Sequence, residues 1–134
     1  IALVAMLFLK YSVLLELPSG WIAPALVCAH VLGRWSVLPM LSFNDYVGGE
    51  KGSGFALADA VDSRKLILGT VYSMLLVMLF LPSGLVTVVL VSVVIVALSS
   101  YFYRRQLGGI TGDTLGATNQ LVEVGVYLML AASI

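Results

Sequence analysis

No charged side chain occurs between Lys65 and Arg104, and the main break in that apolar run is Pro82-Ser83-Gly84. A bilayer-spanning helix needs about 20 mostly apolar residues, so the run reads as two spans joined by a tight turn. The second of them is rich in Val and Ile but too long for a strand. The same design stands at the start of the chain, where Pro18-Ser19-Gly20 separates two apolar stretches, and a further span closes it. The pattern predicts an all-α, polytopic transmembrane helical bundle of about five spans, at about 1–17, 22–43, 66–81, 85–103 and 114–134. Polar loops lie between them at about 44–65 and 104–113. With 60% hydrophobic and 10% charged residues and a mean hydropathy of +1.07, a bilayer is the solvent that suits such a chain.

The few charges carry the remaining information. Seven basic and seven acidic residues balance to zero, which excludes the broad basic surface that nucleic-acid binding needs. The two tight turns are uncharged. Lys51, Arg64 and Lys65 lie in one loop and Arg104 and Arg105 in the other, so the bias of basic residues places both loops on the cytoplasmic side. Tyr101, Tyr103 and Trp21 suit the interfaces. Cys28 stands alone in an apolar run and reads as a small packing residue, with no disulfide framework or cysteine metal motif. Ile1 to Leu9 has neither a basic leader nor a small-residue cleavage site and does not read as a signal peptide. The expectation is a fragment of a longer chain, one integral-membrane domain with no soluble part.

Three ionisable residues lie inside the apolar spans, and two of them are candidates for function. Lys10 near the middle of the first span must face protein or water, since a charge there costs about 2.5 kcal/mol or more. It either serves a ligand or pairs structurally, and Glu16, six residues on, is badly spaced for that pairing. His30 and Arg34 share a helix face. His30 reads as hydrogen-bonded packing, whereas the planar fork of Arg34 suits a phosphate, with a structural ion pair as the alternative.

The densest motif is Gly108-Gly109-Ile110-Thr111-Gly112-Asp113-Thr114-Leu115-Gly116-Ala117, followed by Asn119 and Glu123. Glycines before a helix allow close backbone approach to a ligand, and the first amides of that helix offer free N–H groups to an anion. Asp113, in the first turn, either caps those amides or binds Mg2+ at a phosphate. Asn119 and Glu123 lie one turn apart, beside a stripe of Asp113, Gly116 and Gln120. The arrangement suits metal-assisted phosphoryl transfer or, more plainly, a glycine-packed helix interface. Asp45 to Gly54 forms a second glycine loop, either a flap over a phosphorylated ligand or a connector. Asp59, Asp62, Arg64 and Lys65 read as solvated charges or interface anchors.

The run from Gly108 to Ala117 resembles the C-terminal signature of the cobalamin synthase family, the adenosylcobinamide-GDP ribazoletransferases. Arg104-Arg105, Glu123, Lys10, Arg34 and Gly49 to Gly54 fit the same family, so the resemblance covers essentially the whole chain and is strongest over 104–134. It implies a Mg2+-dependent transfer of the adenosylcobinamide phosphate group from adenosylcobinamide-GDP to α-ribazole or its 5′-phosphate, releasing GMP. The setting it implies is a bacterial or archaeal cell membrane with the functional loops cytoplasmic, and homo-oligomerisation is left open. Asp113 would be a catalytic carboxylate and metal ligand, with Glu123 a second metal candidate. Gly108, Gly109, Thr111, Gly112, Arg34 and Lys10 would hold substrate phosphate. Two departures stand out. Tyr46-Val47-Gly48 lacks the basic residue the family usually carries there, and the family's aspartate-rich motif belongs upstream, which makes this chain look like the C-terminal half. The competing class is a transporter part, with Lys10, Arg34 and Glu123 lining a path.

Overall fold

A computed structural model of the chain describes residues 2–44, 46–47 and 62–133. Most of the Asp45 to Gly54 loop, together with Asp59, lies outside them. Six helices are described: α1 (Ala2–Glu16), α2 (Ser19–Trp35), α3 (Val37–Phe43), α4 (Ser63–Phe80), α5 (Leu85–Leu107) and α6 (Gly112–Ser133). No strand occurs among the described residues, and the all-α expectation holds.

Four helical stretches are long and apolar enough to cross a membrane: Ser19–Phe43, Ser63–Phe80, Leu85–Leu107 and Gly112–Ala132. The protein is a multi-pass membrane protein. The 15 described residues of α1 rise only about 22 Å, less than the ~30 Å hydrocarbon core, yet α1 packs into the bundle against α6.

Helix ends depart from the hydropathy boundaries because apolar runs mark the bilayer core, whereas helices end at caps. α4 starts at Ser63, three residues before the apolar run, since the Asp62 carboxylate accepts the Lys65 N–H at 2.8 Å. Asp62 is thus a helix cap rather than merely a solvated charge. α5 continues through Arg104 and Arg105, which complement the negative end of its dipole, until Gly108 stops it. The expected span 22–43 is broken at Ser36. Pro39 has no N–H for the Trp35 carbonyl four residues back, and that missing bond accounts for the break.

The interior is built on α6, which packs against α2, α5 and α1. On α2, Ala25, Cys28, Ala29, Leu32 and Gly33 recur at helical spacing and are all buried, so small side chains let two backbones approach. Cys28 takes its place in that face as a packing residue. Val122, Val126, Tyr127 and Leu130 fill the core from α6. Outward, Leu75, Leu79, Val86, Leu90, Val94 and Leu98 are exposed, as lipid-facing positions should be.

Candidate functional site

The helix α6 carries two polar regions, and the first is the turn that begins it. Gly108 closes α5 with a φ of 77°, a left-handed conformation that strains any L side chain, and its N–H donates to the Arg104 carbonyl at 3.1 Å. Gly109 and Ile110 are buried. Ile110 makes a parallel bridge with Tyr46, and the Val47 N–H donates to the Ile110 carbonyl at 2.8 Å. The backbone therefore joins the two polar loops directly, so both lie on one face of the bundle.

Thr111 is the residue that caps α6. Its hydroxyl accepts the Thr114 N–H at 3.3 Å, while the Thr114 hydroxyl accepts the Thr111 N–H at 2.7 Å and donates to the Thr111 carbonyl at 2.8 Å. This is a reciprocal box built from two threonines in place of the usual hydroxyl and carboxylate. The Thr111 amide and hydroxyl are thereby occupied within the turn. The amides of Gly112 and Asp113, at the first two helical positions, have no partner within the helix. Asp113 is exposed and takes no part in the cap. Beside it, one turn on, Gly116 faces open space. This end of α6 offers a carboxylate, free amides and room.

The second region lies deeper. Lys10 of α1 reaches α6, where its ammonium donates to the Gln120 side-chain oxygen and to Glu123 Oε2, the latter at 2.5 Å. The two charged side chains are 13% and 8% exposed, so the pair is largely shielded. Glu16, the candidate partner that local spacing offered, is not the one Lys10 takes. On the α2 side, Gly33 is the residue that lets α6 come close. A Cβ there would fall inside 3 Å of Asn119 Oδ1 and at 3.0 Å from Glu123 Cγ. Asn119 Oδ1 is buried without a hydrogen-bond partner among the described residues. Gly33 had no signal in the sequence beyond being a glycine inside a helix.

Several expected site residues do not converge. Asp113 and Glu123 are ten residues apart on α6, about 15 Å of rise, so they do not share one ion. Arg34 lines a different groove of about 440 Å3 between α2 and α4, with His30, Trp35 and Tyr72 among its walls. Its neighbour Gly33 is level with Asn119, six residues or about 9 Å along α6 from Asp113. Arg34 is therefore not placed at the glycine turn. His30 is exposed and donates through Nδ1 to the Leu26 carbonyl at 2.9 Å, a hydrogen bond within its own helix. No cluster of three His, Cys, Asp or Glu side chains suited to a metal occurs among the described residues. Among the described residues, Asp113 is an exposed carboxylate with the chemistry of a single Mg2+ ligand, whereas Glu123 is paired with Lys10.

The chain matches the family model described as cobalamin-5-phosphate synthase over residues 1–131. Among curated relatives it is 34% identical to the adenosylcobinamide-GDP ribazoletransferase of Shewanella piezotolerans, over 97% of this chain and 52% of that protein. It is 34% identical to that of Stutzerimonas stutzeri, over 100% and 54%, and 29% identical to that of Caldanaerobacter subterraneus subsp. tengcongensis, over 96% and 52%. The chain thus spans about half the length of the curated relatives it matches. No solved structure matches it. Matched from Ile1 to Ala131, the chain belongs to the cobalamin-5-phosphate synthase family.

Proposed function

We propose that this chain is the C-terminal half of an adenosylcobinamide-GDP ribazoletransferase. It would supply one side of a site that transfers the adenosylcobinamide phosphate group to α-ribazole or its 5′-phosphate. A ribose hydroxyl attacks phosphorus, the bond to GMP breaks, and GMP leaves. The observation that carries this reading is the backbone bridge between Tyr46 and Ile110. It sets the loop after α3 against the glycine turn, leaving an exposed Asp113 and free amides at the joint. In that setting the Gly112 and Asp113 amides receive phosphate oxygen, as a helix N-terminus does. Asp113 either holds Mg2+, which when bound would neutralise diphosphate charge, or takes the hydroxyl proton. The further metal ligands come from the aspartate-rich motif that the family resemblance puts in the other half. Arg34 is not assigned a place at this turn.

The loops face the cytoplasm in this reading. Single cysteines at Gln106 and Ser83 should then react with an impermeant thiol reagent from opposite sides of the membrane, Gln106 from the cytoplasmic one. Labelling of both from one side would refute the topology. For the chemistry, Asp113→Asn in the full-length protein should lower GMP release by about 100-fold or more across a Mg2+ titration, with the fold intact. Turnover near that of the parent at limiting Mg2+ would remove Asp113 from the site.

A further inference from the structure

Between α3 and α5 runs a groove of about 390 Å3 that the transferase reading leaves unused. Trp35 and Phe43 form one wall, Val93 and Ala97 the other, and Ser100 and Arg104 stand at the mouth. Its walls are apolar and its one charge is a cation. From Val93 to Arg104 is eleven residues of α5, about 16 Å of rise, which matches the depth of one leaflet, half of a ~30 Å hydrocarbon core. Tyr101, Phe102 and Tyr103 lie between the two mouth residues in sequence, and such aromatic side chains gather at headgroup level.

The direction of Arg104 decides what the groove is for. Long helical side chains point back toward the helix N-terminus, and Arg104 Nε donates to the Ser100 carbonyl at 3.4 Å. The guanidinium is thereby turned along the groove, back from the Gly108 end of α5, where the Gly108 N–H donates to the Arg104 carbonyl. Arg104 is exposed and has no carboxylate partner among the described residues. An apolar slot one leaflet deep with a planar cation at its mouth is complementary to an anionic amphiphile. We propose that the groove holds an acyl chain of an anionic phospholipid from the leaflet on the loop side, with its phosphate on Arg104. Basic pockets between spanning helices recognise lipid headgroups in this way.

The test uses the full-length protein in a neutral detergent, with bound lipid counted by native mass spectrometry. Phosphatidylglycerol and phosphatidylcholine of identical acyl chains are titrated in parallel. One phosphatidylglycerol should bind roughly fivefold more tightly than phosphatidylcholine, the preference one surface cation supplies. Arg104→Gln should erase the preference while leaving the neutral lipid bound, and Ala97→Phe, which fills the slot, should remove both lipids. Arg64→Gln, at an exposed basic residue outside the groove, should leave the preference in place. Equal binding of the two lipids by the parent protein would overturn the proposal, as would a preference that survives Arg104→Gln. So would a protein that binds neither lipid, because the rest of the chain would then fill the groove.

Discussion

The two polar regions of α6 are built from similar residues and have opposite fates. At its start, Asp113 is exposed, the cap is made by Thr111 and Thr114, and Gly116 faces empty space. Seven to ten residues on, Gln120 and Glu123 are engaged by Lys10, and Gly33 closes the other side. The first region leaves its carboxylate uncommitted, whereas the second commits its own to Lys10. In the function proposed above, the contrast sets an uncommitted carboxylate at the glycine turn apart from one paired with Lys10 at a joint where α1, α2 and α6 meet. It also explains how a chain this apolar tolerates Lys10 and Glu123: each offsets the other's cost of leaving water.

The strongest way to break the comparison is to leave one charge of the joint alone. Lys10→Met or Glu123→Leu should each destabilise the full-length protein by about 3–5 kcal/mol, the cost of an uncompensated buried charge. The double substitution should recover most of that loss, because apolar replacement of a buried pair is often neutral. Reversible unfolding in mixed micelles measures all three variants. If the double variant also keeps its GMP release, the joint is structural. A double variant that is stable yet inactive would place Lys10 or Glu123 in the chemistry and dissolve the distinction.

A smaller effect tests the third side of the joint. Gly33→Ala gains up to about 1 kcal/mol of helix propensity, but its methyl would press on Asn119 Oδ1 and Glu123 Cγ, and overpacking costs about 1–3 kcal/mol. Packing should win, by about 1 kcal/mol, read from the same unfolding transition. Gly116→Ala, where nothing lies within 4 Å, should instead be neutral or slightly stabilising. Stabilisation by both alanines would mean that the close approach of α2 and α6 is not set by Gly33.

The helical class was legible in the sequence because hydropathy marks long apolar runs, whereas the break at Ser36, the cap at Asp62 and the stop at Gly108 explain why helix number and ends were less so. The glycine turn could be singled out because its residue types are unusual before a helix. The partner of Lys10 could not be found, since α1 and α6 meet only in the folded bundle and Gln120 and Glu123 are more than a hundred residues away. Local spacing offered only Glu16. Arg34 illustrates the converse: its chemistry suits phosphate, but a helix face is not known from one residue, and the fold turns it to the α2–α4 groove.

The smallest effect bears on the open end of α6. If Thr111 is the cap, Thr111→Ala should cost about 1 kcal/mol, within the usual range for losing a capping hydroxyl, and Thr111→Ser should restore most of it. The long 3.3 Å bond from the Thr114 N–H argues for the lower part of that range. Asp113→Asn, at the second helical position and outside the cap, should cost less, about 0.5 kcal/mol or under, chiefly the weakened attraction of a negative charge to the helix N-terminus. The ordering on stability is thus Thr111→Ala above Asp113→Asn. On GMP release it should reverse, because the Asp113 charge is what the proposed chemistry uses and the cap is not. Thermal unfolding and turnover measured on the same preparations decide it. Equal destabilisation by the two variants, with equal turnover, would make Asp113 a second cap and leave the open end of α6 without a carboxylate to spare.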